Sequence, residues 1–262
     1  MKCAILISLY NAEKTLDKTF ESLLAQTFQD FRIVAIDDAS SDATQRRLMA
    51  WQLRFGPERF RLIKNGLNLG LTKSLNAGLA VITEPYTARI DADDWWHQEK
   101  LMKQVTYLDT HADCGLVSSF YENISSRGSK RISLPETDVE IRNNILKRNP
   151  FAHSCVLFRT DIVKRLGGYD ETIRYGQDYD LWLRLLPETM LANIPDVLCY
   201  RTTEGTLTAR LQREQMLQCV KTQLKYLQRY RRPIIEYRFI IEPLAVALTP
   251  EWLRRLKRKY LA

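Results

Sequence analysis

The chain has 262 residues, of which 45% are hydrophobic, and carries a formal net charge of +8 at pH 7. This length and apolar content suit one large domain, or a domain with an extension, and exclude a disordered chain. No run approaches the ~20 apolar residues of a membrane span, and the positive excess lies mostly in the C-terminal third, where it calls for an anionic partner.

Residues 3–9 are an apolar run ending at Tyr10-Asn11, which reads as a strand opening into a loop. Met1-Lys2 leads straight into it, so no signal peptide is expected. Leu16, Phe20, Leu23 and Leu24 then recur at three- and four-residue steps, the period of a helix over 14–26. Residues 31–36 form a second strand and 41–55 a second helix, with Ser40 or Ser41 as expected N-cap. Residues 60–64, 71–81 and 86–90 continue the alternation as strand, helix and strand. This β-α-β-α-β-α-β order predicts an α/β fold, with a mostly parallel sheet flanked by helices. Ligands of such sheets sit beyond the carboxyl ends of the strands. Tyr10-Asn11, Asp37-Asp38 and Asp91-Ala92-Asp93-Asp94 all fall there.

In the second half, 116–121, 155–158 and 197–201 read as strands. Residues 139–147, 161–166 and 178–186 read as helices, with Gly167-Gly168 stopping the second. Residues 122–136 suggest a hairpin or loop, and a helical pattern resumes near 207. Five scattered cysteines with no metal-like spacing argue for reduced thiols in a cytosolic setting.

Three carboxylates in 91–94 repel one another, so the fold must supply caps, bases or a cation. A hard divalent ion held by carboxylates and substrate phosphates would serve; an acidic turn with a helix cap is the plainer alternative. Asp37-Asp38 upstream, and Asp178 with Asp180 at a helix start, point to one acidic cleft.

The ordered motifs Ile7-Ser8-Leu9-Tyr10-Asn11, Ile36-Asp37-Asp38, Asn68-Leu69-Gly70, Asp91-Ala92-Asp93-Asp94, Gly167-Gly168-Tyr169-Asp170 and Gln177-Asp178-Tyr179-Asp180 resemble the family 2 glycosyltransferases. The resemblance spans roughly residues 1–205 and implies the GT-A nucleotide-sugar-binding fold. It implies a domain over 1–205, divided into a nucleotide-binding half (1–94) and an acceptor-binding half (95–205). A basic helical extension would then occupy 206–262. The implied activity is inverting transfer of a sugar from a nucleotide diphosphate to a glycan hydroxyl.

The resemblance also implies roles. Asp38 would accept from the uracil N3–H, with Ser8, Tyr10 and Asn11 nearby; the local alternative is that Asp37 or Asp38 caps the next helix. Lys73 could reach a base carbonyl or phosphate, or be a solvated lysine. Asp93 would bind Mg²⁺ or Mn²⁺, and Asp91 the ribose or a metal-bound water. Asp94 would contact the donor sugar, or cap a helix starting near Trp95. Trp95 could line the sugar pocket. Asp178 would be the base that takes the acceptor proton, with an N-cap as its structural alternative. Family members often carry Glu-Asp there; Gln177 replaces the first acid, which puts a second carboxylate role in doubt. His153 would lie near the acceptor or diphosphate, or serve structurally. Asp180 is expected to pair with Arg184 one turn on.

At the C-terminal end, Trp252, Leu256 and Tyr260 share one face of a basic helical pattern over 249–261. Such a helix suits an anionic bilayer surface, so a peripheral place on the inner membrane face and a lipid-linked acceptor are expected. No nucleic-acid motif is present. A non-catalytic binding protein of the same fold is the alternative.

Overall fold

The computed structural model describes residues 1–203 and 212–249. β1 (Cys3–Leu9), α1 (Leu16–Leu24), β2 (Phe31–Asp37), α2 (Thr44–Phe55), β3 (Phe60–Lys64), α3 (Leu71–Val81) and β4 (Tyr86–Arg89) follow the expected alternation. β1 pairs in parallel with β2 and β4, and β2 with β3. β1, β2 and β4 are buried on both faces, whereas β3 is the partly exposed edge strand. Leu16, Phe20 and Leu23 of α1, with Leu48, Trp51 and Phe55 of α2, cover Ile5, Ile7, Phe31 and Ile33. Leu75 and Leu79 of α3 cover Leu6, Val34 and Ile36 on the other side. Each such side chain contributes about 1.5–3 kcal/mol by leaving water. Gly78 lets α3 lie close: a Cβ there would stand 2.3 Å from Leu6 Cδ1 and 2.6 Å from Ile36 Cδ1.

The second half comprises β5 (Trp95–Trp96), α4 (Lys100–Thr110), β6 (Cys114–Ser125), β7 (Gly128–Ile132), α5 (Asp138–Asn144), a 3₁₀ turn (His153–Cys155), β8 (Leu157–Arg159), α6 (Thr160–Arg165), α7 (Gln177–Leu185) and β9 (Met190–Thr202). One sheet runs in the order β3-β2-β1-β4-β8-β6-β9-β5, with β7 paired to β6. β8 is antiparallel to β4 and β6, whereas β9 is parallel to β6. The sheet is therefore parallel among the first four strands and again between β6 and β9, and antiparallel where β5, β7 and β8 join it. A 3₁₀ turn over Ile234–Ile240 separates α8 (Gln212–Arg229) from α9 (Ile241–Leu248). The extension is tied to the body where Gln223 Nε2 donates to the Leu146 carbonyl at 2.8 Å. No helix among the described residues is long and apolar enough to cross a membrane. The basic segment from 250 onward lies outside the described residues.

Two expectations need correction. α2 begins at Thr44, and neither Ser40 nor Ser41 caps it. Asp42 Oδ1 accepts from the Thr44 amide at 2.9 Å and Glu13 Oε2 from the Ala43 amide at 2.9 Å. The serines are engaged elsewhere, with Asn11. No helix starts at Trp95 either. Trp95-Trp96 is a short strand antiparallel to β9, in register with Tyr200 and Cys199. Strand alternation sends the two indoles to different surroundings. Trp95 stacks on Tyr200 at 5.7 Å, whereas Trp96 is buried and donates from Nε1 to the Ser154 carbonyl at 2.8 Å.

Candidate active site

The carboxyl ends of β1, β2 and β4 form one rim, as α/β topology requires. Asn11 stands there in the left-handed region (φ 50°). Its Oδ1 accepts from the Ser41 amide at 2.9 Å, and its own amide donates to Ser40 Oγ at 3.0 Å. Asn11 thus clamps two loops together through its amide and its side-chain oxygen. Asp37 is fully buried; Oδ1 accepts from the Ser40 amide at 3.1 Å, while Oδ2 has no hydrogen-bond partner among the described residues. Asp38 Oδ1 accepts from Asn65 Nδ2 at 2.7 Å and from the Leu69 amide at 2.9 Å, and Oδ2 from the Gly70 amide at 2.8 Å. Burial opposes its ionisation, but these bonds together hold the carboxyl below its usual range. Ser8 is half-buried, Tyr10 is 53% exposed, and Lys73 is exposed on α3.

At the end of β4, Arg89 is 1% exposed and forks onto both oxygens of Asp91. Ser154 Oγ donates to Asp91 Oδ2 at 3.0 Å. Burial works against the charged form of Asp91, yet the guanidinium outweighs it and holds this carboxyl well below the carboxylate range. Asp94 is buried. Its Oδ1 accepts from the Thr202 amide at 3.1 Å, and Arg201 Nε lies 3.6 Å from Oδ2. Burial first, and the Asp91 charge second, push Asp94 up to about 7. It pins β9 to the acidic loop and caps no helix.

Asp93 differs from both. Its backbone carbonyl accepts from Thr202 Oγ1 at 2.8 Å, but among the described residues its carboxylate forms no ion pair and no hydrogen bond to another residue. Burial and then the Asp91 charge raise its pKa. A partly buried carboxylate without an ion-pair partner among the described residues is chemically suited to a hard cation, which would relieve both effects. Asp91 has one lone pair left, on Oδ1, so the donor set fits a divalent ion held mainly by Asp93 and completed by phosphate and water.

Asp178 occupies the first turn of α7, after Gly176 in the left-handed conformation (φ 74°). Asn149 Nδ2 donates to Asp178 Oδ2 at 3.1 Å. Burial raises its pKa against the opposing Tyr179 amide, Arg89 and Asn149. His153 Nε2 lies 2.9 Å from the Tyr169 hydroxyl. Burial, reinforced by Arg89, keeps the imidazole neutral by holding its pKa well below the ordinary value. Asp180 pairs with Arg184 at 2.7 Å, as the spacing predicts.

Asp91, Asp93, Asp94, His153, Gln177 and Asp178 line one cavity of about 910 Å³. It joins the acidic loop of the first half to the start of α7, with α8 and α9 closing another side. A raised carboxylate at Asp178 can accept a proton from a hydroxyl in that space, and Asp93 can hold a cation there. Ser8, Tyr10, Asn11, Asp38, Lys73 and Trp95 are not among the residues that line it, although the Gly70 amide bound by Asp38 belongs to a lining residue. Trp95 is sandwiched instead, with Lys18 Nζ 3.0 Å from its ring centroid and Tyr200 stacked against it.

Arg89, Arg201 and Asn149 were not singled out by sequence reasoning. For Arg89 the signal was present: a cation inside an apolar strand, two residues before an acid.

The family described as Glycosyl transferase family 2 matches residues 4–167. The chain is 30% identical over 259 residues to the putative glycosyltransferase EpsE of Bacillus subtilis (strain 168), covering 95% of this chain and 90% of that protein. It is 35% identical over 199 residues to the amylovoran biosynthesis glycosyltransferase AmsE of Erwinia amylovora, covering 74% of each. Against the UDP-Glc:alpha-D-GlcNAc-diphosphoundecaprenol beta-1,3-glucosyltransferase WfaP of Escherichia coli it is 27% identical over 213 residues, 79% of each. Among solved structures, S. aureus TarS 1–349 in complex with UDP-GlcNAc superposes with a TM-score of 0.73 at 19% identity, covering 95% of this chain and 72% of that one. The mannosyltransferase PcManGT from Pyrobaculum calidifontis, in complex with GDP-Man and Mn²⁺, gives 0.66 at 18% identity, covering 96% and 71%. The chain belongs to glycosyl transferase family 2, has the GT-A fold, and is a glycosyltransferase; the non-catalytic alternative is set aside.

Proposed function

From this family membership we propose that the chain is an inverting, divalent-metal-dependent transferase. It would move a hexosyl or N-acetylhexosaminyl group from a UDP-sugar to a hydroxyl of a lipid-linked glycan, in cell-surface polysaccharide biosynthesis. The observation that carries this reading is the placement in one cavity of two carboxylates, Asp93 and Asp178, that form no ion pair among the described residues. Similarity to proteins named for UDP-Glc, diphosphoundecaprenol and amylovoran supports the donor and acceptor classes.

In this reading Asp178 is the general base. Inversion needs a carboxylate facing the anomeric carbon opposite the leaving group, where it removes the proton of the attacking hydroxyl. A raised pKa makes Asp178 a stronger base than an ordinary carboxylate, and Asn149 orients it. Asp93 would hold Mg²⁺ or Mn²⁺, with Asp91 kept ionised beside it by Arg89. When bound, the cation offsets charge on the departing diphosphate. Asp94 and Arg201 fix the loop that carries Asp93. Asp38, Ser8 and Tyr10 would meet the uracil ring. The transferase unit is proposed to span 1–205, and the basic segment over 249–261 to contact anionic lipid on the inner membrane face.

Calorimetry with UDP, GDP and dTDP, with and without Mn²⁺, tests the donor assignment. UDP should bind tightest and need the metal, and Asp93→Asn should lose the metal-dependent part. Metal-independent binding, or a preference for GDP, would overturn the reading.

A further inference from the structure

The cavity has a second charged region that the donor does not account for. Lys147 and Arg148 follow α5, and Arg174 lies in the loop before α7; all three line the cavity that holds Asp178. The Asn149–Asp178 hydrogen bond ties the two segments together, so these cations flank the proposed base. Lys147 Nζ approaches Asn144 Oδ1 at 3.4 Å and the Phe239 ring at 5.8 Å, and Arg174 lies 5.2 Å from the Tyr175 ring. Among the described residues none of the three forms an ion pair. The cations around the acidic loop behave differently: Arg89 is paired with Asp91 and Arg201 with Asp94. Glu242 of α9 is the carboxylate that lines the cavity from the extension. With Arg89 and Arg201 matched by Asp91 and Asp94 and Asp93 left to a cation, the three cations at this end face Asp178 and Glu242, an excess of one positive charge that suits an anion with several oxygens.

The wall beside them is apolar. Met216 of α8, with Pro243 and Val246 of α9, lines the cavity. The opposite face of α9 presents Ile241, Leu244 and Leu248 to solvent, and Ile234 and Ile235 are exposed just before it. At 100° per residue, positions 241, 244 and 248 fall on one stripe of the helix, while 242, 243 and 246 fall on another. One short helix therefore borders both the cavity and an apolar outer surface, a combination that marks a membrane or ligand contact.

We propose that Lys147, Arg148 and Arg174 bind the diphosphate of a prenyl diphosphate-linked acceptor, with its prenyl chain following α8 and α9 outward. This rests on the cavity being the transferase site, and it assigns the acceptor end of that site to residues of its own. The donor diphosphate belongs to Asp93 and its cation; the acceptor diphosphate belongs to the three side chains beside Asp178.

The test is isothermal titration of the full chain with farnesyl diphosphate in EDTA, so that no metal bridges the probe. Farnesol and inorganic pyrophosphate are titrated separately. Farnesyl diphosphate should bind more tightly than either. The double variant Arg148→Ala/Arg174→Ala should weaken it by roughly tenfold or more, as loss of charge-assisted bonds implies, and should leave UDP binding in Mn²⁺ within twofold of wild type. Retained UDP binding also shows that the variant is folded. Unchanged affinity for farnesyl diphosphate in the variant overturns the proposal, and so does a wild type that does not bind the probe. Pyrophosphate binding as tightly as farnesyl diphosphate removes the prenyl path. An equal loss of UDP affinity would assign the cations to the donor. Failure of UDP binding in the wild type would instead strike at the nucleotide-sugar reading, which the EDTA titration does not touch.

Discussion

The Arg89–Asp91 pair should be asymmetric under mutation, and the asymmetry can be worked out from burial. Arg89 is 1% exposed, whereas the Asp91 side chain is 32% exposed. Breaking a buried pair typically costs about 3–5 kcal/mol, because one charge is left unpaired. Asp91→Asn leaves a guanidinium with almost no access to water, so the upper part of that range applies, about 4–5 kcal/mol. Arg89→Met fills similar volume with an apolar chain and leaves a carboxylate that water reaches over a third of its surface. Its cost should be discounted to about 2–3 kcal/mol. The double variant removes both charges and should cost less than the sum of the two by at least ~1 kcal/mol. Urea denaturation resolves these differences: with a slope of ~3 kcal/mol/M, the midpoints drop by roughly 1.5 M and 0.8 M. The pH dependence has a definite sign. Asp91 is depressed in the folded state, so the pair's stability is fully present above the unfolded value of ~3.9 and is lost as pH falls through the folded one. The gap between wild type and Arg89→Met should therefore narrow below about pH 4. Arg89→Met costing as much as Asp91→Asn, or strict additivity in the double variant, would show that burial does not set the asymmetry of this pair.

Removing the Asn149 amide donor should raise the Asp178 pKa further, because that bond favours the charged form. The acid limb of kcat/KM should lie above the ordinary carboxylate range in wild type and shift to higher pH in Asn149→Ala; an unmoved limb would separate Asp178 from the titrating group. Lys100 is wholly buried, 3.9 Å from the Trp96 ring centroid and hydrogen-bonded to Gln104, and burial lowers its pKa to about 8. The unfolded chain thus binds more protons above that value, so stability should rise between about pH 8 and 10.4. Lys100→Met should flatten this rise and raise the urea midpoint at pH 7; a variant less stable than wild type at pH 7 would contradict it.

The first four strands and three helices were legible because two signals agreed. Apolar runs such as 31–36 mark strands buried on both faces, and the Leu16-Phe20-Leu23 spacing marks a helix against them. Trp95-Trp96 was misread because two residues carry no period, and only pairing with Tyr200 and Cys199 makes them a strand. The antiparallel insertion of β8 was hidden for a related reason: strand direction depends on where the chain returns, which residue types do not encode. At the site, residue identity revealed the acidic groups but not their partners. Asp91, Asp93 and Asp94 are chemically alike in sequence, and become distinct only because Arg89 takes the first and Thr202 with Arg201 takes the third. Asn11 lies just past β1, and its Ser40 and Ser41 partners are about thirty residues away and could not be inferred from spacing.

Asp178 is proposed to remove the acceptor proton while Asp93 serves the donor. Single-turnover transfer from a UDP-sugar, measured for wild type and Asp178→Asn at matched UDP occupancy, tests it most directly. The variant should bind UDP with Mn²⁺ as wild type does, yet transfer the sugar ~10²–10⁴-fold more slowly. Near-normal transfer by Asp178→Asn would contradict it.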